Sequence, residues 1–240
     1  MKCKLCGPFL TLHKRFTAML CPGDRPEAKA RFRWWRDAQL NDRYLITDDP
    51  HQEAIRAAGR LEKSDPTAAL DQLLALARGG SVWSMLHVGA LYAHDADGAK
   101  NPVAAEHWLQ LAAEHGSRRA SLYLANLYIA QANFDACEKI LQPCVAEGLV
   151  PAMFILGMAK LQQQPKTAKR WDEARVLLEE AATRGDLGAQ WALGRRMARG
   201  WFGWHRMRRG FQLMIDACGK IEALMDEDRK KHDEEAVGAI

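Results

Sequence analysis

Apolar and polar positions along most of the chain follow the three-to-four-residue period of helices that bury one face. The stretch 104–128, AAEHWLQLAAEHGSRRASLYLANLY, is typical: helical spacing runs on both sides of a glycine, and the core-facing positions are mostly alanine. Alignment on the glycines that close a helical pattern, Gly80, Gly116, Gly148 and Gly185, gives intervals of 36, 32 and 37 residues. Nine residues after each comes another small residue, Gly89, Ala125, Gly157 or Gly194, preceded each time by an apolar one (Val88, Leu124, Leu156, Leu193). Five positions before that column stand Ser84, Ala120, Ala152 and Ala189. A second helix carries Leu73, Leu109, Leu141 and Leu178 seven residues before the closing glycine, and Leu76, Ala112, Cys144 and Ala181 four before it. A fainter upstream copy, EAIRAAGRL, places Ala54 and Gly59 in the same relation, with Ala58 between them.

Each unit therefore predicts two helices and a joining loop of variable length, long at AHDADGAKNP, short at AQANF and long again at LQQQPKTAKRW. Small residues at repeated positions let helix axes approach to about 8 Å, while Leu and aromatic neighbours interlock above and below. A glycine just past a helix end accepts the left-handed conformation that turns the chain into the next unit. One hairpin cannot bury its apolar stripe alone, so several must stack, which is the logic of a solenoid.

The segment LHVGALYAHDADGAKNPVAAEHWLQLAAEHG, residues 86–116, resembles a bacterial-type Sel1-like repeat, a relative of the tetratricopeptide repeat; Gly89, Leu91, Tyr92, Ala105, Trp108, Ala112, Ala113 and Gly116 carry the likeness. VPAMFILGMAK and ARVLLEEAATRGDLGAQWALGRRM repeat much of it, so the resemblance covers about residues 50–220. The unit 117–148 departs from it by its short loop and by Asn126 and Cys144. The last unit, GFQLMIDACGK, reads as a degenerate terminal cap with Gln212 where a core leucine would sit. The resemblance implies an all-α, right-handed α-solenoid of stacked helical hairpins and a non-catalytic scaffold or adaptor for partner proteins. The expected organisation is an N-terminal basic helical segment (1–49), the solenoid (50–225) and a polar C-terminal tail (226–240).

Charge changes the picture at one end. Net charge is +4, but residues 1–46 hold ten Lys or Arg against four Asp or Glu, and the remaining residues hold 24 against 26. His13, Lys14 and Arg15 interrupt what would otherwise be a signal-peptide apolar region, and no run approaches the roughly 18 apolar residues of a membrane span. Six cysteines make no disulfide framework in a chain of 240 residues, so a cytoplasmic protein with reduced thiols is expected.

Candidate chemistry is sparse. Cys3, Cys6, His13 and Cys21 offer four soft ligands for zinc, set against a terminus with inert thiols. RFRWWRD, residues 31–37, interleaves cations and aromatics and reads either as a helix capping the open end of the stack or as a grip on nucleic acid or an anionic membrane surface. Cys137 and Cys144 lie on one helical face and read as core. The chain shows no phosphate loop, nucleophile elbow or dinucleotide fingerprint, so neither a cofactor nor a small-molecule substrate is expected. The stretch RRMARGWFGWHRMRRG, residues 195–210, has six arginines and no acid. Arg195, Arg199, Trp201, Trp204 and Arg206 are the first candidates for an edge binding an acidic protein or peptide, the alternative being that the tryptophans pack inward. His87 and Tyr123, on first helices, are further partner-binding candidates. A different class of function, an N-terminal zinc or nucleic-acid module with the solenoid as accessory, is the competing reading.

Overall fold

Local signals fix where each helix starts and stops. Asp65, Asn101, Ser117 and Asn133 each accept a hydrogen bond from the backbone N–H three residues on, at 3.0 to 3.3 Å, and Pro66 and Pro102 occupy first-turn positions that have no N–H to satisfy. Caps of this kind are worth about 1 kcal/mol each. In the computed structural model, which describes residues 49–62, 64–93, 101–165, 167–220 and 223, the result is helices without strands among the described residues. They are α1 (Gln52–Leu61), α2 (Pro66–Arg78), α3 (Val82–Ala93), α4 (Pro102–Glu114), α5 (Arg118–Ala130), α6 (Phe134–Ala146), α7 (Val150–Gln162), α8 (Ala168–Thr183) and α9 (Leu187–Ala198). A 3₁₀ turn (Trp204–Arg206) and a further helix, α10 (residues 207–220), come after them. The N-terminal segment and the C-terminal tail lie outside the described residues. The chain divides into two compact units, one of residues 37–180 and one of residues 1–36 with 181–240.

In the first unit, consecutive helices pack in pairs, and the first helix of one hairpin touches the first helix of the next: α3 meets α5, and α5 meets α7. The turn between hairpins has one construction. Gly80, Gly116, Gly148 and Gly185 have φ between 81° and 97°, and each is followed at once by the residue that opens the next helix. At Gly116 the N–H donates to the Ala113 carbonyl at 2.9 Å and the Ser117 N–H to the Ala112 carbonyl at 3.0 Å, closing α4 while Ser117 caps α5. Gly80 and Gly148 repeat the two bonds. The left-handed conformation costs a residue with a Cβ roughly 1–2 kcal/mol, which is why glycine holds these corners.

The small-residue column is where helices meet. A methyl group on Gly89 would lie 2.7 Å from Leu109 Cγ and 3.1 Å from the Leu109 backbone nitrogen; one on Gly157 would lie 2.9 Å from Leu178 Cγ and 3.3 Å from the Ala174 carbonyl oxygen. Leu73, Leu109, Leu141 and Leu178 are all fully buried. Two expected positions shift by one residue. In α1, Ile55 and Ala58 are buried while Ala54 and Gly59 face outward, because Ala58 is the residue that packs with Leu73 and Val88. In α2, Ala77 rather than Leu76 takes the buried place.

One ionic network ties three successive helices of this unit. Lys160 on α7, whose side chain is 10% exposed, donates to Glu138 on α6 at 2.8 Å and to Glu173 on α8 at 2.9 Å. Burial alone pulls the ammonium pKa down, but the two carboxylates outweigh it and the net displacement is upward; Glu173, bonded to Lys160, is held below its ordinary value.

The second unit is described from Ala181. Here α9 and α10 cross glycine on glycine: a methyl on Gly194 would lie 2.8 Å from the Gly210 carbonyl oxygen, and one on Gly210 would lie 2.6 Å from Met197 Cβ. Gly210, Met214 and Ala217 are buried in α10. Gln212 points outward and donates to Asp216 at 2.9 Å. The expectation of a degenerate core at Gln212 is therefore corrected. Met214 stands twenty residues after Gly194, as Leu109 does after Gly89, and fills the leucine's role.

Gly89→Ala is expected to lower stability in urea melts by about 1–3 kcal/mol, since the neighbouring backbone nitrogen cannot give way. Gly59→Ala, with nothing within 4 Å of the new methyl, is expected to raise it by about 0.5–1 kcal/mol. Lys160→Met is expected to cost about 1–2 kcal/mol at neutral pH, discounted for its half-open partners. The Glu173 contribution is present above the ordinary carboxyl value of 4.5 and fades as pH falls through its lowered folded pKa. The Lys160 contribution is present below the ordinary 10.5 and fades as pH rises through its raised one. The melting difference between wild type and Lys160→Met should thus be widest in the neutral range and narrow at both extremes.

Candidate functional site

The end of α9 builds a basic, aromatic corner inside the second unit. The Gly200 N–H donates to the Met197 carbonyl at 2.9 Å and the Trp201 N–H to the Arg196 carbonyl at 3.1 Å, with Gly200 at φ 76°. This is the same helix-closing turn that separates the hairpins, used here to fold the chain back on α9. It places the Arg196 guanidinium carbon 5.7 Å from the Trp201 ring centre, a cation–π contact. Arg196 Nη1 also donates to the Ala192 carbonyl at 2.9 Å, while its buried Nε has no hydrogen-bond partner. Burial first, and then the charges of Arg195 and Arg199, push the guanidinium pKa down to about 10.

Beyond Trp201, Gly203 at φ 96° starts the 3₁₀ turn that carries Trp204, His205 and Arg206. Trp204 is 83% exposed and meets His205 edge-on, with centroids 6.4 Å apart. Trp201 is 40% exposed and Met207 is also open to solvent. The inward-packing alternative therefore fails for Trp204 and holds only in part for Trp201. Arg199 is exposed, and Arg195 and Arg206 are half-buried. The structure gathers Arg195, Arg199, Trp201, Trp204 and Arg206 into one short stretch of fold, from the last turn of α9 to the 3₁₀ turn. Arg196 belongs with them, although composition does not single it out. Its signal in the sequence is an arginine five residues before a tryptophan with a glycine just ahead of that tryptophan, the spacing of a closing turn.

His87 and Tyr123 lie in the first unit. His87 is half-buried, stacked on Trp83 (centroids 4.7 Å apart, planes at 19°) and bonded through Nε2 to Glu62 Oε1 at 2.5 Å, so it links α3 to the end of α1. Tyr123 is half-buried against the cluster built on Leu109 and Leu124. Cys137 and Cys144 are buried, and burial is the main cause pushing both thiols up, Cys137 to about 11, away from the reactive thiolate form. Among the described residues no group of three His, Cys, Asp or Glu side chains could hold a metal ion. Cys3, Cys6, His13, Cys21 and the stretch 31–37 lie outside the described residues. No described helix is long and apolar enough to cross a membrane.

Stacked hairpins with small-on-large helix contacts, closed by glycine corners, define an α-solenoid of the tetratricopeptide-related kind. Its fold is that of the Sel1-like repeat proteins. One similar solved structure is that of c5321, described as a protective antigen present in uropathogenic Escherichia coli strains and displaying an SLR fold: TM-score 0.56 and 21% identity over 85% of this chain and 45% of that one. Another is a Sel1 repeat protein from Oxalobacter formigenes: TM-score 0.52 and 16% identity over 87% of this chain and 82% of that one. The chain thus spans less than half the length of the first. Neither a family profile nor a curated protein sequence matches the chain.

Proposed function

We propose that this chain is a non-catalytic interaction scaffold that holds an acidic protein or peptide, and that the corner formed by Arg195, Arg199, Trp201, Trp204 and Arg206 is its docking edge. The observation that carries the reading is Trp204: a tryptophan 83% exposed within a stretch of six arginines and no acid. Large aromatics and arginines are the residues on which interface energy concentrates, the aromatics by the area they bury and arginine by its fork of donors. The surrounding positive field would speed encounter with an acidic partner and make it salt-dependent. His87 and Tyr123 are secondary candidates, taken separately within the first unit. The cytoplasm suits the buried, reduced thiols of Cys137 and Cys144.

Affinity capture from native lysate at low and moderate salt tests the edge, with an Arg195→Ala, Arg199→Ala, Arg206→Ala triple variant as the matched bait. The expected result is a partner retained at low salt, weakened at moderate salt and lost on the triple variant, an affinity loss of at least about tenfold. The same partners on both baits would place the docking surface elsewhere.

A further inference from the structure

Among the cations of the basic corner, Arg196 is the one whose surroundings least suit its charge. The residue is half-buried, and its Nε is buried without a partner. Its partners are the π face of Trp201 and one carbonyl of its own helix. No described carboxylate pairs with it, and the 29 residues from Leu187 to Ile215 contain no Asp or Glu. Its charged neighbours, Arg195 and Arg199, repel it. A structural role alone would be better served by an apolar side chain, since an unneutralised desolvated cation is a net cost to the fold.

We propose that Arg196, held against Trp201 between Arg195 and Arg199, is the anchor of the docking edge, and that it takes a carboxylate from an aspartate- or glutamate-rich peptide segment. The inference rests on the reading of this corner as an acidic-partner site. Three guanidinium groups at positions i, i+1 and i+4 concentrate charge within one helical turn, which matches a cluster of side-chain carboxylates. A single-stranded nucleic acid is favoured instead by cations spread along a backbone track with free aromatic faces for its bases. Trp201 has a face committed to Arg196. A planar guanidinium also presents paired donors to a carboxylate, a geometry that an ammonium lacks.

Fluorescence anisotropy with the full chain and a labelled oligoglutamate peptide at low salt tests this, comparing Arg196→Gln with Arg208→Gln, an identical charge change at an exposed position of α10. Arg196→Gln is expected to weaken binding at least about tenfold, the loss of one buried charged contact. It should leave the melting temperature unchanged or raised, whereas Arg208→Gln should weaken binding about twofold through the general field. Arg196→Lys, which keeps the charge, should not restore affinity, and it decides the matter if the glutamine variant fails to fold. Equal losses in the two glutamine variants, wild-type affinity in Arg196→Lys, or a lower melting temperature with binding intact would overturn the anchor while leaving the basic edge in place. Tighter binding of single-stranded oligouridylate that is lost in Arg196→Gln would overturn the carboxylate assignment. Failure of the wild-type chain to bind either probe would remove the docking edge itself.

Discussion

A branched side chain on the second helix of a hairpin lies directly over a glycine or alanine on the first, and the spacing of the other elements is set by that contact. Leu109 over Gly89 and Leu178 over Gly157 leave no room for one more carbon, so the helix axes sit at the near end of the usual range. Each buried leucine contributes about 1.5–3 kcal/mol of apolar transfer, and dispersion between closely packed backbones adds to it. A hairpin gains little of this alone, because α3 and α5 each need the next hairpin to cover their remaining faces. Stacking is therefore the condition for folding, and the glycine corners between α2 and α3, α4 and α5, and α6 and α7 exist to permit it.

This construction uses the small residues for packing and leaves function to whatever projects from the hairpins. Glycine corners between hairpins lead immediately into the next helix, as at Gly116 and Ser117, so they project nothing. At Gly200 the corner is separated from α10 by several residues, and these expose Trp204. One closing turn thus serves as a hinge between repeats in one place and as a display platform in another. The difference lies only in the length and composition of the segment that leaves the turn.

Much of the fold was legible in the sequence because period-based columns are insensitive to loop length. Gly89, Ala125, Gly157 and Gly194 could be aligned across units that differ by up to five residues. Register was lost where a closing glycine was missing or a loop length was unknown. No glycine closes α1, so the register of Ala54 and Gly59 had nothing to fix it and fell one residue away from Ile55 and Ala58. Beyond Gly200 the loop length was unknown, and Gln212 was placed in a column that belongs to Met214. The basic, aromatic corner was legible as composition, in Arg195, Arg199, Trp201, Trp204 and Arg206, but the pairing of Arg196 with Trp201 depends on a backbone reversal that spacing only hints at.

Two partly buried cations show how the same physics gives opposite outcomes in different surroundings. Lys160 is taken out of water between Glu138 and Glu173, and its pKa rises because the attraction outweighs the desolvation. Arg196 is taken out of water beside Arg195 and Arg199, and its pKa falls because nothing described offsets the desolvation. The first arrangement is complete within the chain and binds three helices together. The second has no neutralising carboxylate among the described residues, and a guanidinium remains protonated at neutral pH even at about 10, so it cannot escape the cost by losing its proton. Perturbed ionisation of the second kind gathers at functional sites, and that is the physical ground on which the docking proposal singles out Arg196 rather than Lys160.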